Sequence, residues 1–252
     1  MKRFSSELVH SYETYSFGYA NYAKREAGDA LSAIYTAGFL PYSGSPECKD
    51  VFYMARSARI SLPKFSENSE NRRIGKRFDG MFRKERIPFS SFMQTDAFFS
   101  FCREYFAKRH GGVMPQERLR AILDSGLITD ILLYTKDGVP AAYVLEVGDA
   151  TIGHFWFSFY TLSLIHQSLG MWLMLDAARD AKVSGRTHYY LGTVYGEKAL
   201  YKTNFDSFEY WNGEAWSPDV QTLKTRSRSD IERAIRGSDE WKNGLRKFKP
   251  DM

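Results

Sequence analysis

Cysteine is nearly absent from this chain: Cys48 and Cys102 are the only two in 252 residues. Two isolated thiols make no disulfide framework and no C-x-x-C or Cys/His set of ligand spacing, so the sequence excludes a secreted disulfide scaffold and carries the expectation of no zinc and no metal cluster. Long apolar runs are missing as well. No stretch approaches the roughly 18 apolar residues of a membrane span, and the start, MKRFSSELVHSYETYSFGY, holds no continuous apolar segment of signal-peptide length. A cytoplasmic protein with no membrane partner is the expectation. No internal repeat or low-complexity linker appears. Neither charge sign dominates, since 35 Lys and Arg against 30 Asp and Glu leave only +5, too little by itself to mark a nucleic-acid binder.

What is present is apolar and aromatic: 43% hydrophobic residues, with 16% aromatic, suffice for one large domain or two intimate lobes. Asp29 to Phe39 reads as an Asp-initiated helix closed by Gly38, and Val51 to Leu62 as strand-like. A Ser-capped helix is expected from Ser90 or Ser91 to His110, ended by Gly111 and Gly112, with another from Pro115 to about Ser125. From Ile131 the period becomes two. DILLYT, VPAAYVLEV and IGHFWFSFY, separated by short Asp and Gly turns, predict an antiparallel meander of three strands. Ser168 is placed to cap a helix bearing Leu169, Trp172, Leu173 and Leu175, stopped by Gly185. A short strand, His188 to Leu191, a polar and aromatic segment, Tyr195 to Lys202, and a strand-like run, Phe205 to Trp211, complete the order.

A meander, then a helix crossing over to a further strand, is the layout of the GNAT acyltransferase fold. The fold class expected is therefore α/β (α+β), GNAT-like, with a mixed, largely antiparallel sheet flanked by helices and a smaller amino-terminal lobe. The divisions read as 1–89 for that lobe, 90–220 for the GNAT-like domain and 221–252 for a basic, helical or flexible tail. In this fold the strand before the main helix splays from its neighbour and opens a cleft for an acyl donor.

Four blocks carry a more specific resemblance. SENSENRR (Ser66 to Arg73), REYFAKRHGGVM (Arg103 to Met114), the SLG opening the long helix, and YLG followed by a Tyr-Lys pair at Tyr201 and Lys202 occur in one order. Together they resemble the aminoacyl-tRNA:protein transferases, the eukaryotic arginyl-transferases and bacterial leucyl-transferases. The resemblance implies charged tRNA as donor and a protein, peptide or small-molecule amine as acceptor, with no cofactor. One departure is large: the family's amino-terminal cysteine cluster is reduced here to Cys48, which bears on the acceptor.

Acyl-CoA enzymes of the GNAT fold need small residues where the pyrophosphate meets the main helix. The corresponding register here is Gln167, Gly170 and then Trp172, and an indole there argues against a CoA donor. Aminoacyl-tRNA requires no such loop, because aromatic and basic side chains hold it by stacking and charge. Aminolysis of its activated ester needs positioning, oxyanion stabilisation and mild base help. Tyr201 and His110 are the expected catalytic residues. Arg72, Arg73, Arg109, Tyr160, Ser168, Tyr195, Glu197 and Lys202 are the expected donor contacts. Each has an ordinary structural alternative: His110 as a helix C-terminal dipole partner, Glu197 as a helix-start charge, Ser168 as a cap, Tyr160 and His154 as residues of a packed aromatic strand. Two rival functions stand beside this reading, an acyl-CoA-dependent N-acyltransferase and a non-catalytic tRNA-binding adaptor.

Overall fold

The computed structural model describes residues 1–11, 16–44, 48–110 and 116–236. The first strands, β1 (Lys2–Ser11) and β2 (Ser16–Lys24), form an antiparallel hairpin in which Phe4 stacks on Tyr22. Helix α1 (Leu31–Thr36), β3 (Phe39–Pro41) and β4 (Val51–Met54) follow, giving a four-stranded sheet of order β1-β2-β4-β3. The helix is shorter than the span Asp29 to Phe39. Asp29 cannot start it, because its carboxylate binds the chain amino terminus at 2.5 Å and the Glu26 N–H at 2.8 Å. Gly38, at φ +86°, lies flat under the Trp211 ring, where a methyl group would stand 2.4 Å from the indole. Only glycine fits that turn.

The second sheet draws on β5 (Ser57–Ser61), β6 (Arg83–Pro88), β7 (Asp130–Lys136), β8 (Val139–Gly148), β9 (Ile152–Tyr160), β10 (His188–Thr193), β11 (Phe208–Trp211) and β12 (Trp216–Ser217). Its order is β12-β11-β5-β10-β9-β8-β7-β6. The meander is present as expected, and β9 with β10 is the parallel pair, joined through a helical crossover. Its helices are α2 (Ser69–Phe78), α3 (Asp96–His110), α4 (Gln116–Leu123), α5 (Leu169–Val183) and α6 (Val220–Arg236). The span Val51 to Leu62 is therefore two strands in different sheets. The boundary expected at residues 89–90 does not coincide with the division between sheets, since β5 and β6 precede it and lie within the larger one.

Two helix starts differ from the sequence reading. α3 begins at Asp96 because Phe89–Ser91 forms a separate 3-10 turn and Thr95 Oγ1 accepts from the Phe98 N–H. α5 begins after Ser168, but the serine side chain makes no cap bond. Ser168 sits at φ +71°, and its carbonyl accepts from the Met171 and Trp172 N–H groups instead. The span from Gly111 to Pro115 lies outside the described residues.

α5 is buried almost all round, and Leu169, Leu173, Leu175 and Trp172 anchor the main core. Each such side chain contributes roughly 1.5–3 kcal/mol by leaving water. Trp172 faces α2, donating from Nε1 to Asp79 Oδ1 at 2.9 Å and packing on Phe78, Phe82 and Tyr134. Cys102 belongs to this core, while Cys48 packs beside Tyr22 and Val51. The expected basic tail is an ordered helix through Arg236, seated by buried Leu223 and Ser227. Among the described residues no helix is long and apolar enough to cross a membrane.

Candidate functional site

β9 and β10 pair only at Ile152–His188, Gly153–Tyr189 and His154–Tyr190. Past that point β9 runs on to Tyr160, whereas a bulge between Tyr190 and Gly192 turns β10 toward β5. Two strands that start parallel and stop bonding must part, and the gap is a cleft of about 540 Å³. Its walls are the second half of β9, the end of β10, the first turns of α5, the end of α3 and a 3-10 helix, Glu197–Asn204.

Of the expected residues, Arg109, Tyr160, Tyr195, Tyr201 and Lys202 line this cleft together. Ser168 does not line it, and its contribution is the backbone turn into α5. Glu197 lies outside, exposed and 3.8 Å from Arg228. Arg72 and Arg73 sit on α2, away from the cleft lining. Arg72 donates to the Glu67 carbonyl and Arg73 is paired with Glu70 at 2.6 Å. His110 closes α3, but its side chain lies outside the described residues. Their grouping in sequence blocks reflects neighbouring elements that the fold separates.

Three tyrosines meet at one end of the cleft. Tyr105 and Tyr160 have ring centroids 4.9 Å apart, and Tyr201 faces the same cluster beside Arg109. Burial first, and then the neighbouring Tyr160, raises the Tyr105 hydroxyl and pushes that of Tyr201 up to about 12, with Arg109 offsetting part of both. The Tyr201 ring is 43% exposed while its hydroxyl end is enclosed. Near neutral pH it is therefore a hydrogen-bond donor. Tyr105 is legible in the sequence only as an apolar position of α3, because helical periodicity cannot distinguish a core tyrosine from one whose edge reaches a cleft.

Lys202 lies at the cleft floor, donating to the Thr193 carbonyl at 2.7 Å. Burial lowers its ammonium to about 8, so that near neutral pH a fraction of this amine is neutral. Beneath Gly192, His154 is 1% exposed, with Nδ1 2.9 Å from the Tyr35 hydroxyl and Nε2 without a partner among the described residues. Burial, then the charge of Lys202, lowers the imidazole to about 3. The unfolded chain takes a proton near 6.5 and the folded one does not. Stability is thus full above pH 6.5 and falls as pH drops from there toward 3, by about 1.4 kcal/mol per unit at its steepest. His154→Gln, which keeps a partner for Tyr35, should melt with a visibly flatter dependence between pH 6.5 and 4. Identical pH dependence in both proteins would show that another group controls acid unfolding.

Trp172 does not occupy the phosphate position, as the sequence suggested, because its indole turns into α2. The first turn of α5 is filled by Tyr160 instead: a methyl group at Gly170 would lie 2.7 Å from Tyr160 Oη. A phenol thus packs on the glycine where both line the cleft.

Residues 89–203 match the family described as acetyltransferase (GNAT) domain. An aspartate/glutamate leucyltransferase of Ruegeria sp. (strain TM1040) is 27% identical over 186 residues, covering 69% of this chain and 65% of that protein. Another, of Dinoroseobacter shibae, is 28% identical over 195 residues with the same coverage of each. The chain thus spans just under two thirds of the length of these curated relatives. The crystal structure of FemX resembles the chain with TM-score 0.42 and 10% identity, over 67% of this chain and 60% of that one. The chain is a homologue of proteins named aspartate/glutamate leucyltransferase, with a GNAT-type domain over residues 89–203.

Proposed function

We propose that this protein moves an amino acid from aminoacyl-tRNA to an amine by aminolysis of the donor ester, in the cytoplasm. The observation that carries the reading is Tyr160 Oη against Gly170. A CoA pyrophosphate needs the backbone N–H groups of that helix start and small residues around them. The names of the relatives point to leucine as the amino acid and to aspartate or glutamate residues as acceptors.

The chemistry needs little beyond what the cleft holds. The acceptor's neutral amine attacks the ester carbonyl, and a C–N bond forms as the C–O bond to the ribose breaks. In this reading the Tyr201 hydroxyl, protonated at neutral pH, donates to the developing oxyanion. Lys202, in its neutral fraction, takes the amine proton and returns one to the departing ribose oxygen. Phe155, Trp156 and Phe157 supply aromatic surface for the donor's terminal base and aminoacyl group.

The test is label transfer from a full mixture of charged tRNAs and, separately, from acetyl-CoA, to peptides with varied first residues and to a mixed pool of small amines. Transfer from leucyl-tRNA is expected, with a rate that rises through a midpoint near pH 8, as Lys202 loses its proton, and levels off above it. Transfer from acetyl-CoA alone would overturn the reading. Retention of tRNA with no transfer to any acceptor would select the adaptor alternative.

A further inference from the structure

A second groove, of about 680 Å³, adjoins the cleft. It lies between the small sheet and the loop after β11, and its walls include Tyr19, Tyr53, Tyr195, Trp211, Arg56 and Arg226. Tyr195 lines both spaces, so the groove begins where the cleft ends at this ring. Tyr19, from β2, is 67% exposed, and Tyr195 is 49% exposed. Arg56 lies 4.7 Å over the Tyr195 ring and is clamped by Asp230 of α6 at 2.6 and 3.1 Å, while its backbone N–H donates to the Tyr195 hydroxyl at 2.8 Å. This wall is rigid. Arg226, on an exposed face of α6, donates to the Asn212 carbonyl at the groove rim and brings a cation there.

From this arrangement we infer that the groove binds the unpaired 3′ strand of the donor RNA, the nucleotides that precede its aminoacylated end. The inference rests on the donor reading above. Aromatic faces spaced along a groove, joined by guanidinium charge, hold successive bases and phosphates with little regard to sequence. No carboxylate lines the groove among the described residues; Asp230 stands behind its wall, paired with Arg56. The space at the other end of the cleft, beside Tyr105 and Tyr160, is smaller, about 280 Å³, and is lined by the Glu104–Lys108 ion pair. The larger space, with its aromatic faces and arginines, is the one reached by way of Tyr195.

The probe is a fluorescein-labelled single-stranded RNA ending in CCA, followed by anisotropy across a salt series. Tyr19→Ala and Arg226→Ala change exposed side chains and leave the fold standing. Each should weaken binding about tenfold, and Arg226→Ala should flatten the salt slope by about one. In transfer assays both should raise KM for charged tRNA with little change in kcat. An Arg72→Ala, Arg73→Ala double variant on α2 should bind as the wild type does. Unchanged affinity in the groove variants, or a loss seen only in the α2 variant, overturns the inference. An acidic peptide released by the groove variants while RNA is retained also overturns it, giving the groove to the acceptor. Transfer from charged tRNA together with unchanged RNA affinity removes the groove and leaves the donor reading intact. Turnover of acetyl-CoA with no RNA binding by the wild type removes both.

Discussion

Lys202→Met should lower transfer by about 10²- to 10⁴-fold, the usual contribution of a placed proton acceptor, while making the protein more stable. The second half of this expectation follows from the first. Holding Lys202 at about 8 instead of its ordinary 10.5 means that the folded protein carries a poorly solvated ammonium at neutral pH. Its single described hydrogen bond runs to the Thr193 carbonyl, and no carboxylate accompanies it among its ion pairs. Removing the charge relieves a penalty of about 1–3 kcal/mol below pH 8, discounted for partial contact with solvent. Methionine occupies similar volume without that penalty. The gain should shrink as pH rises from 8 and vanish above 10.5, where the wild-type amine is neutral in both folded and unfolded states. Thermal melts at about pH 7 and about pH 10, set beside transfer rates, check both halves. A destabilised Lys202→Met protein would make the lysine a structural clamp on the 3-10 helix and return the proton transfer to solvent.

Glu146→Ala should destabilise the fold by about 3–5 kcal/mol, the cost of breaking a buried ion pair by deleting one partner. Glu146 on β8 is fully buried, and its two oxygens accept from Arg86 at 2.7 Å, Arg186 at 2.6 Å and Tyr189 at 3.0 Å. Burial raises the Tyr189 hydroxyl, with the neighbouring carboxylate adding to it, so this phenol stays a donor throughout the working range. Alanine would leave Arg186 without its carboxylate and Arg86 with Asp130 at 3.4 Å and Asp180 at 3.9 Å. Glu146→Gln, which keeps an acceptor for Tyr189, should lose less. The position matters for function because Arg186 and Tyr189 hold the closed end of the β9–β10 fork, from which the strands part into the cleft. Denaturant midpoints measure the loss directly. A cost below about 1 kcal/mol would mean that the arginines find solvent when Glu146 is gone.

The sequence made the order of elements readable wherever the signal was local. Period-two runs separated by turn residues such as Asp137 and Gly138 need no distant partner to be recognised, and the meander β7-β8-β9 was visible for that reason, as were α5 and its stop at Gly185. Boundaries failed where a distant group competed. Asp29 was drawn to the chain amino terminus, and the strand-like run through Ala55 and Arg56 was divided between two sheets. The candidate site was legible in part. Arg109, Tyr160, Tyr195, Tyr201 and Lys202 come together, whereas Arg72, Arg73 and Glu197 face elsewhere, because adjacency within a block says nothing of which side of a helix meets the cleft.

Local chemistry in the chain determined its helices and strands, its GNAT-type layout from residue 89 to 203 and its kinship with the leucyltransferases. Tertiary structure alone decided that β5 enters the large sheet between β10 and β11, that Tyr160 rather than Trp172 packs on Gly170 at the start of α5, and that Lys202 and His154 lie beneath Gly192. These outcomes depend on contacts between residues far apart in sequence and on the removal of water around a few polar atoms. Neither leaves a trace in the spacing of residues along the chain.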